Sequence, residues 1–272
     1  MRSKVILFGA IAAAFVLSMT QSRAADDVLG KIKERGELRI AGVLYRPLIA
    51  PRPNGQYVGI DVEVLKRMAA DLGVKLNIIN GEFATAVAGI AADKWDIVPA
   101  MCITDARKKV IDFSESYITI GATFVALKDN PKNLTTIASF NRPEVTFAVP
   151  SGSWSESVAM EAAPKATRKA FGQTTSSDLV QEVVAGRADA VVLDTPIQIT
   201  LAEGAYPGKF RIVPGRNEPL DVKACKIGYG YMKGADKFGA YINSFLTKLR
   251  NSGELAKLNE EYMKPEMIKA TK

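Results

Sequence analysis

Short apolar runs and helical stretches alternate along this chain, and the whole alternation occurs twice. Leu38 to Gly42 reads as a strand, and residues 59–73, GIDVEVLKRMAADLG, read as a helix. Val64, Leu65, Met68, Ala69 and Leu72 recur there at helical spacing, and Gly73 is a natural stop. Val74 to Ile79 is the second expected strand, 84–92 a helix of small residues suited to close packing, and Ile97 to Met101 a buried strand. A strand at 124–128 then leads elsewhere. The pattern restarts with a strand at 145–149, followed by Ser151-Gly152-Ser153 and a helix running to Ala163. Ser177-Asp178 is expected to cap a helix that turns Leu179, Val180, Val183 and Val184 inward and stops at Gly186. Ala190 to Leu193 is an apolar strand ending at Asp194. Beyond 227–232, Phe238, Tyr241, Ile242, Phe245, Leu246 and Leu249 mark an amphipathic helix, and Ser252 opens a last one. This rhythm predicts an α/β fold of two units, each a mostly parallel sheet flanked by helices. Two extended crossings, near 124–128 and 226–232, would join them, with a ligand cleft between.

The N-terminus predicts export. Arg2 and Lys4 precede an apolar core from Val5 to Met19, and Ser22-Arg23-Ala24 offers the small residues of a cleavage site, so 1–24 reads as a signal peptide. Its removal lowers the net charge from +7 to +4, because three cations and no acid leave with it. The remaining charges are interspersed rather than striped, which argues against nucleic acid as a partner. The chain has no histidine, which excludes Ser-His-Asp and Cys-His catalysis and histidine-ligated metal sites. No metal or other cofactor is expected. Cys102 and Cys225 are compatible with one disulfide or with two buried thiols.

In an open parallel sheet, ligand groups gather beyond the carboxyl ends of the strands. Three such ends carry suggestive residues. After 97–101, Thr104-Asp105 starts a helix and places Arg107 in its first turn, where the helix dipole disfavours a cation. A carboxylate bound there would take paired hydrogen bonds from the guanidinium and one from a backbone N–H; pairing with Asp105 or Glu115 is the alternative. Gly152-Ser153 offers backbone donors to an anion, or is only a turn. Asp194 closes an apolar strand and needs a partner, either a helix end or a cation such as an ammonium.

Residues 59–73, 95–117 (WDIVPAMCITDARKKVIDFSESY), 149–156 (VPSGSWSE) and 185–194 (AGRADAVVLD) resemble, in register, the family 3 solute-binding proteins. These are periplasmic receptors for polar amino acids that feed ABC importers. The resemblance runs from about residue 36 to residue 263. It implies the two-lobed periplasmic binding protein fold of type II, with lobe 1 formed by 25–125 plus 227–272 and lobe 2 by 126–226. It also implies a monomer that hands its ligand to an ABC transporter permease. By position, Arg107 matches the clamp on the ligand α-carboxylate and Asp194 the acid that pairs with its ammonium. Cys102 stands where Ser or Thr is usual, and Ala100 where a backbone carbonyl accepts from the ammonium. Ser153 and Trp154 lie in the second-lobe turn, while Tyr45 and Phe83 match side-chain walls.

Three departures bear on specificity. Cysteine at 102 is a poor hydrogen-bond donor. Trp154 replaces a small residue. The first loop, Val43-Leu44-Tyr45-Arg46, lacks the acid that receptors for basic amino acids carry, which argues against lysine or arginine. Arg46 favours a second carboxylate or is simply solvated. If the two crossings pair as antiparallel strands, Cys225 comes close to Cys102. Predicted function is binding and lobe closure rather than catalysis. The rivals are a cyclohexadienyl or arogenate dehydratase-like enzyme, with Glu156 or Glu82 as general acid, and a ligand-sensing receptor domain.

Overall fold

The computed structural model describes residues 27–52, 54–194, 206–214 and 224–262. The chain opens with α1 (Val28–Arg35), β1 (Glu37–Gly42), β2 (Ala50–Pro51) and β3 (Tyr57–Val58). It continues through α2 (Ile60–Leu72), β4 (Lys75–Asn80), α3 (Phe83–Ala91), β5 (Ile97–Cys102) and α4 (Asp105–Lys108). Then come β6 (Ile111–Phe113), β7 (Ile118–Ile120), β8 (Ala122–Leu127), α5 (Ile137–Phe140) and β9 (Thr146–Pro150). The remainder is α6 (Trp154–Ala162), β10 (Thr167–Phe171), α7 (Ser176–Val184), β11 (Ala190–Asp194), β12 (Phe210–Val213), β13 (Cys225–Met232), α8 (Asp236–Asn251) and α9 (Glu254–Tyr262).

These strands form two main sheets. In the first the order is β4-β1-β5-β13-β6, with β7 also paired to β13. Its β4, β1 and β5 are parallel, and β13 runs against β5, β6 and β7. In the second the order is β10-β9-β11-β8-β12; here β10, β9 and β11 are parallel, and β8 opposes β11 and β12. The fold is the expected α/β, two-lobed one, because each parallel trio is a strand–helix–strand unit.

The places where the chain changes lobes differ from expectation. The strand expected at 124–128 as a crossing is β8, which lies wholly in the second sheet between β11 and β12. Since β7 belongs to the first sheet, the chain passes over at Gly121. The run expected at 226–232 as the other crossing is β13, an interior strand of the first sheet. The return therefore precedes Cys225, in a stretch largely outside the described residues.

Each lobe has its own core. In the first, α2 buries Val62, Val64, Leu65, Met68 and Ala69, and α8 buries Phe238, Ile242, Phe245, Leu246 and Leu249, as their spacing requires. The small residues of α3 serve close packing. A Cβ on Gly89 would come within 2.1 Å of the Trp95 indole, which is itself held by donating to the Ala86 carbonyl at 2.9 Å. The second lobe is built on Phe124, Phe140 and Phe147, whose ring centroids lie 4.9 to 5.8 Å apart. The cap of α7 is Thr175, not Ser177; its hydroxyl accepts from the Asp178 N–H while the Asp178 side chain accepts from the Thr175 N–H.

Candidate functional site

Seven of the eight expected site residues converge. Tyr45, Phe83, Ala100, Cys102, Arg107, Ser153 and Trp154, with Pro150 and Ser155, line one small cavity between the lobes. Its first-lobe wall is the end of β5, the one-turn α4 and the start of α3. Its second-lobe wall is the end of β9 and the first turn of α6. Asp194 ends β11, paired with Ala122, but its side chain lies outside the described residues.

Arg107 follows from the strand end and the cap. Thr104 has extended backbone, and its hydroxyl accepts from the Arg107 N–H at 3.3 Å, so that N–H is not free for a ligand. Because α4 is a single turn, helix dipole misfit is not what marks this arginine. Burial is. The guanidinium donates through Nη1 to the Cys102 carbonyl at 2.9 Å and through Nη2 to the Gly152 carbonyl of the other lobe at 3.1 Å. Desolvation pushes its pKa down to about 10. Neither Asp105 nor Glu115, the expected alternatives, pairs with it; Glu115 lies 3.8 Å from Arg250 instead.

The second-lobe turn is more self-contained than its sequence suggested. The Gly152 N–H donates to Glu156 Oε2 at 2.7 Å, and the Ser153 N–H donates to the Pro150 carbonyl at 3.2 Å. The Ser153 hydroxyl caps α6 by accepting from the Glu156 N–H at 3.1 Å. That leaves the first turn of α6, at Trp154 and Ser155, as the second-lobe surface on the cavity. Trp154 is half-buried and packs against both lobe cores, so it sits in the seam between them. Gly152 has a φ of +69°, and a Cβ there would lie 2.7 Å from Ala84 Cα. Only glycine lets this turn approach the first lobe so closely.

The aromatic wall is formed by Tyr45 and Phe83, edge to face with centroids 6.0 Å apart. Arg46, beside Tyr45, does not line the cavity; its Nε is buried without a hydrogen-bond partner, and desolvation lowers its pKa while Asp178 of the second lobe opposes that shift. The rim is also bridged where Gln173 Nε2 donates to Asn80 Oδ1 at 2.7 Å.

Cys102 and Cys225 form a disulfide, with Cα atoms 5.5 Å apart. The strands that bring them together are β5 and β13, rather than two crossings, since Cys102 faces Ile227 in that antiparallel ladder. Bonded in this way, Cys102 has no S–H to donate at all.

Sequence reasoning missed a buried cluster behind the cavity. Asp61, fully buried, accepts from the Tyr117 hydroxyl at 2.8 Å and the Tyr229 hydroxyl at 3.1 Å. Burial pushes its pKa up to about 7 against the pull of these hydroxyl donors. An acid in the first turn of a helix is ordinary, so only its flanking by Ile60 and Val62, both buried, hinted at it.

Among the described residues, no three His, Cys, Asp or Glu side chains cluster as a metal site would require. The two expected general-acid candidates do not line the cavity. Glu156 is engaged by the Gly152 N–H and by Arg168 at 3.3 Å, and Glu82 lies near Gly172 on the cleft rim.

The sequence profile of the bacterial extracellular solute-binding proteins, family 3, matches residues 25–265. A cyclohexadienyl dehydratase of Pseudomonas aeruginosa is 26% identical over 260 residues, covering 94% of each chain. The L-arginine-binding protein of the same organism is 26% identical over 228 residues, covering 80% of this chain and 84% of its own. Among solved structures, an ancestral amino acid-binding protein described as a precursor of cyclohexadienyl dehydratase superposes with a TM-score of 0.76. It is 33% identical and covers 87% of this chain and 99% of its own.

Proposed function

The chain belongs to the bacterial extracellular solute-binding proteins, family 3, and from that premise we propose that it binds a small amino acid or related carboxylate between its lobes. One observation carries the ligand's charge. Arg107 is a half-buried cation whose side-chain partners among the described residues are two carbonyls, on opposite lobes. Such a cation is costly without an anion, and a ligand carboxylate seated between Arg107 and the first turn of α6 supplies one. Asp194 is the proposed partner of the ligand ammonium, and the Ala100 carbonyl a second acceptor. With Cys102 in a disulfide, that position contributes contact and no side-chain hydrogen bond.

Among the described residues no acid lines the cavity, which favours a neutral or acidic ligand side chain over the cationic ones of relatives named for arginine. Tyr45, Phe83 and Trp154 give that side chain apolar walls and little room. Ligand docks on Arg107 in the first lobe, and the second lobe then closes upon it, driven by contacts that exist only in the closed state.

The protein is proposed to be exported to the periplasm with 1–24 removed, and to deliver its ligand as a monomer to an ABC permease. Sheet membership supports a lobe boundary at Gly121, with the return ahead of Cys225. A thermal-shift panel of amino acids and small carboxylates tests the reading, since a ligand of the folded state raises the Tm. No shift with any of them would sink it.

The similarity to cyclohexadienyl dehydratase keeps a second reading in play, catalysis in the same cleft. We infer binding without turnover, because Glu156 and Glu82 lie off the cavity. Incubation with prephenate or arogenate decides: product formation would overturn the inference.

A further inference from the structure

We propose that the Cys102–Cys225 disulfide is a thiol-exchange site: a small aminothiol entering the cleft behind Trp154 takes Cys225 as a mixed disulfide and releases Cys102 as a thiolate beside Arg107. The consequence drawn below for ligand binding rests on the cavity being the ligand site. The exchange itself does not.

Position comes first. Cys102 and Trp154 stand between the cavity and a second interlobe cleft of about 510 Å³, large enough for a small organic molecule. Both cysteines line that second cleft. Cys102 is 5% exposed and Cys225 4%, so access in the closed form is narrow. The wall across from them is α6, through Ser157 and Val158, and α6 belongs to the other lobe. Any parting of the lobes therefore widens the approach to the sulfurs.

The two sulfurs meet different charges. Arg107 donates to the Cys102 carbonyl at 2.9 Å and shares the cavity wall with that residue, and among the described residues its guanidinium bonds no carboxylate. On the cleft side the charged lining residues are Asp105 and Glu161. Lys226, next to Cys225, alternates to the other face of β13 and is exposed there. A thiolate is thus stabilised on Cys102 and disfavoured on Cys225.

This asymmetry sets the direction of exchange, because the sulfur with the lower pKa leaves faster. The incoming thiolate bonds to Cys225 Sγ, the Cys102–Cys225 bond breaks, and its electron pair leaves on Cys102 Sγ. No other reactant is consumed. Acids in the cleft favour a thiol that carries an ammonium over one that carries a carboxylate. Once released, Cys102 supplies Arg107 with the anion that a ligand carboxylate would otherwise provide, so exchange and ligand binding compete.

The test uses the folded, ligand-free protein. Brief incubation with cysteamine, trapping with iodoacetamide and peptide mass mapping should place cysteamine on Cys225 and the alkyl group on Cys102. At equal thiolate concentration, mercaptoacetate should open the bond at least about threefold more slowly. Arg107→Gln keeps both cysteines and should slow opening by about threefold, because the leaving sulfur loses its cation. Cysteamine on Cys102 with Cys225 alkylated would overturn the proposal, as would a disulfide that opens only after urea unfolds the protein. Equal rates for the two thiols would refute the aminothiol class, and an Arg107→Gln rate equal to wild type would remove the leaving-group argument. If that variant fails to fold, the site of attachment in wild type still decides. No ligand is used, so a failed ligand panel and a failed exchange are separately visible.

Discussion

Substituting alanine for Gly152 separates the energetics of folding from those of closure. The added Cβ would lie 2.7 and 2.9 Å from Ala84 Cα and N, where ordinary contact begins at 3.4 Å. Ala84 is in the other lobe, so the clash exists only when the lobes are together. Relieving it requires a retreat of roughly 0.7 Å, which takes Arg107 Nη2 from 3.1 Å to about 3.8 Å from the Gly152 carbonyl. A hydrogen bond from a charged donor is worth about 1.5–3 kcal/mol, so closed-state affinity should fall by about 10- to 150-fold. The left-handed φ of residue 152 adds a penalty of about 1 kcal/mol, but open and closed forms share it. It therefore appears in the Tm and not in the binding constant. Isothermal titration with the best ligand from the thermal-shift panel measures the first term, and thermal denaturation of the free protein the second. A folded Gly152→Ala protein with affinity within about twofold of wild type would refute the claim that this turn touches the first lobe in the bound state.

Other outcomes follow from the same geometry. Arg107→Ala should abolish binding of every panel ligand, and Arg107→Lys should weaken it by at least about tenfold, because an ammonium cannot serve two carbonyls and a carboxylate in one plane; calorimetry reads both. Opening the Cys102–Cys225 disulfide, which spans 123 residues, should cost about 2–5 kcal/mol and lower the Tm by on the order of 10 °C; denaturation with and without reductant would show otherwise if the curves coincide. The Asp61 pKa is raised from 3.8 to about 7, so between those values the folded state holds more proton than the unfolded. Stability should fall as pH rises through that window, by at most about 4 kcal/mol, and level off above it. Urea unfolding at about pH 5 and pH 8 should show the part of that loss above pH 5, about 3 kcal/mol, in wild type and not in Asp61→Asn; equal losses in both would sink the assignment.

Periodicity made the parallel trios legible, because buried strands are continuous apolar runs and their helices carry one apolar face. It failed for β10, whose TRKAF sequence is almost wholly exposed at a sheet edge, and for the short β6 and β7, which hold their places through pairing with β13. The residues of the cavity were readable because they sit at strand ends and helix starts. Their detailed roles were not. The Gly152 and Ser153 N–H groups looked available, yet they are consumed by Glu156 and Pro150, which lie within four residues of them. The place where the chain changes lobes escaped notice for a similar reason: β7 and β8 are separated by Gly121 alone, and nothing local marks a change of sheet. Asp61 makes sense only with Tyr117 and Tyr229 around it, and the fold brings both to it from far along the chain.

Because β13 is an interior strand of the first sheet, the N-terminal lobe has a gap through its middle until residues 225–232 are present. Among the described residues, the second sheet draws its strands from 122–213, which precede the strand that closes that gap. For a chain emerging from its N-terminus, the lobe that starts first is therefore the lobe that finishes last, delayed by its most distant strand pairing. Arg107 is made early, but its cleft wall is stapled only when Cys225 arrives beside Cys102.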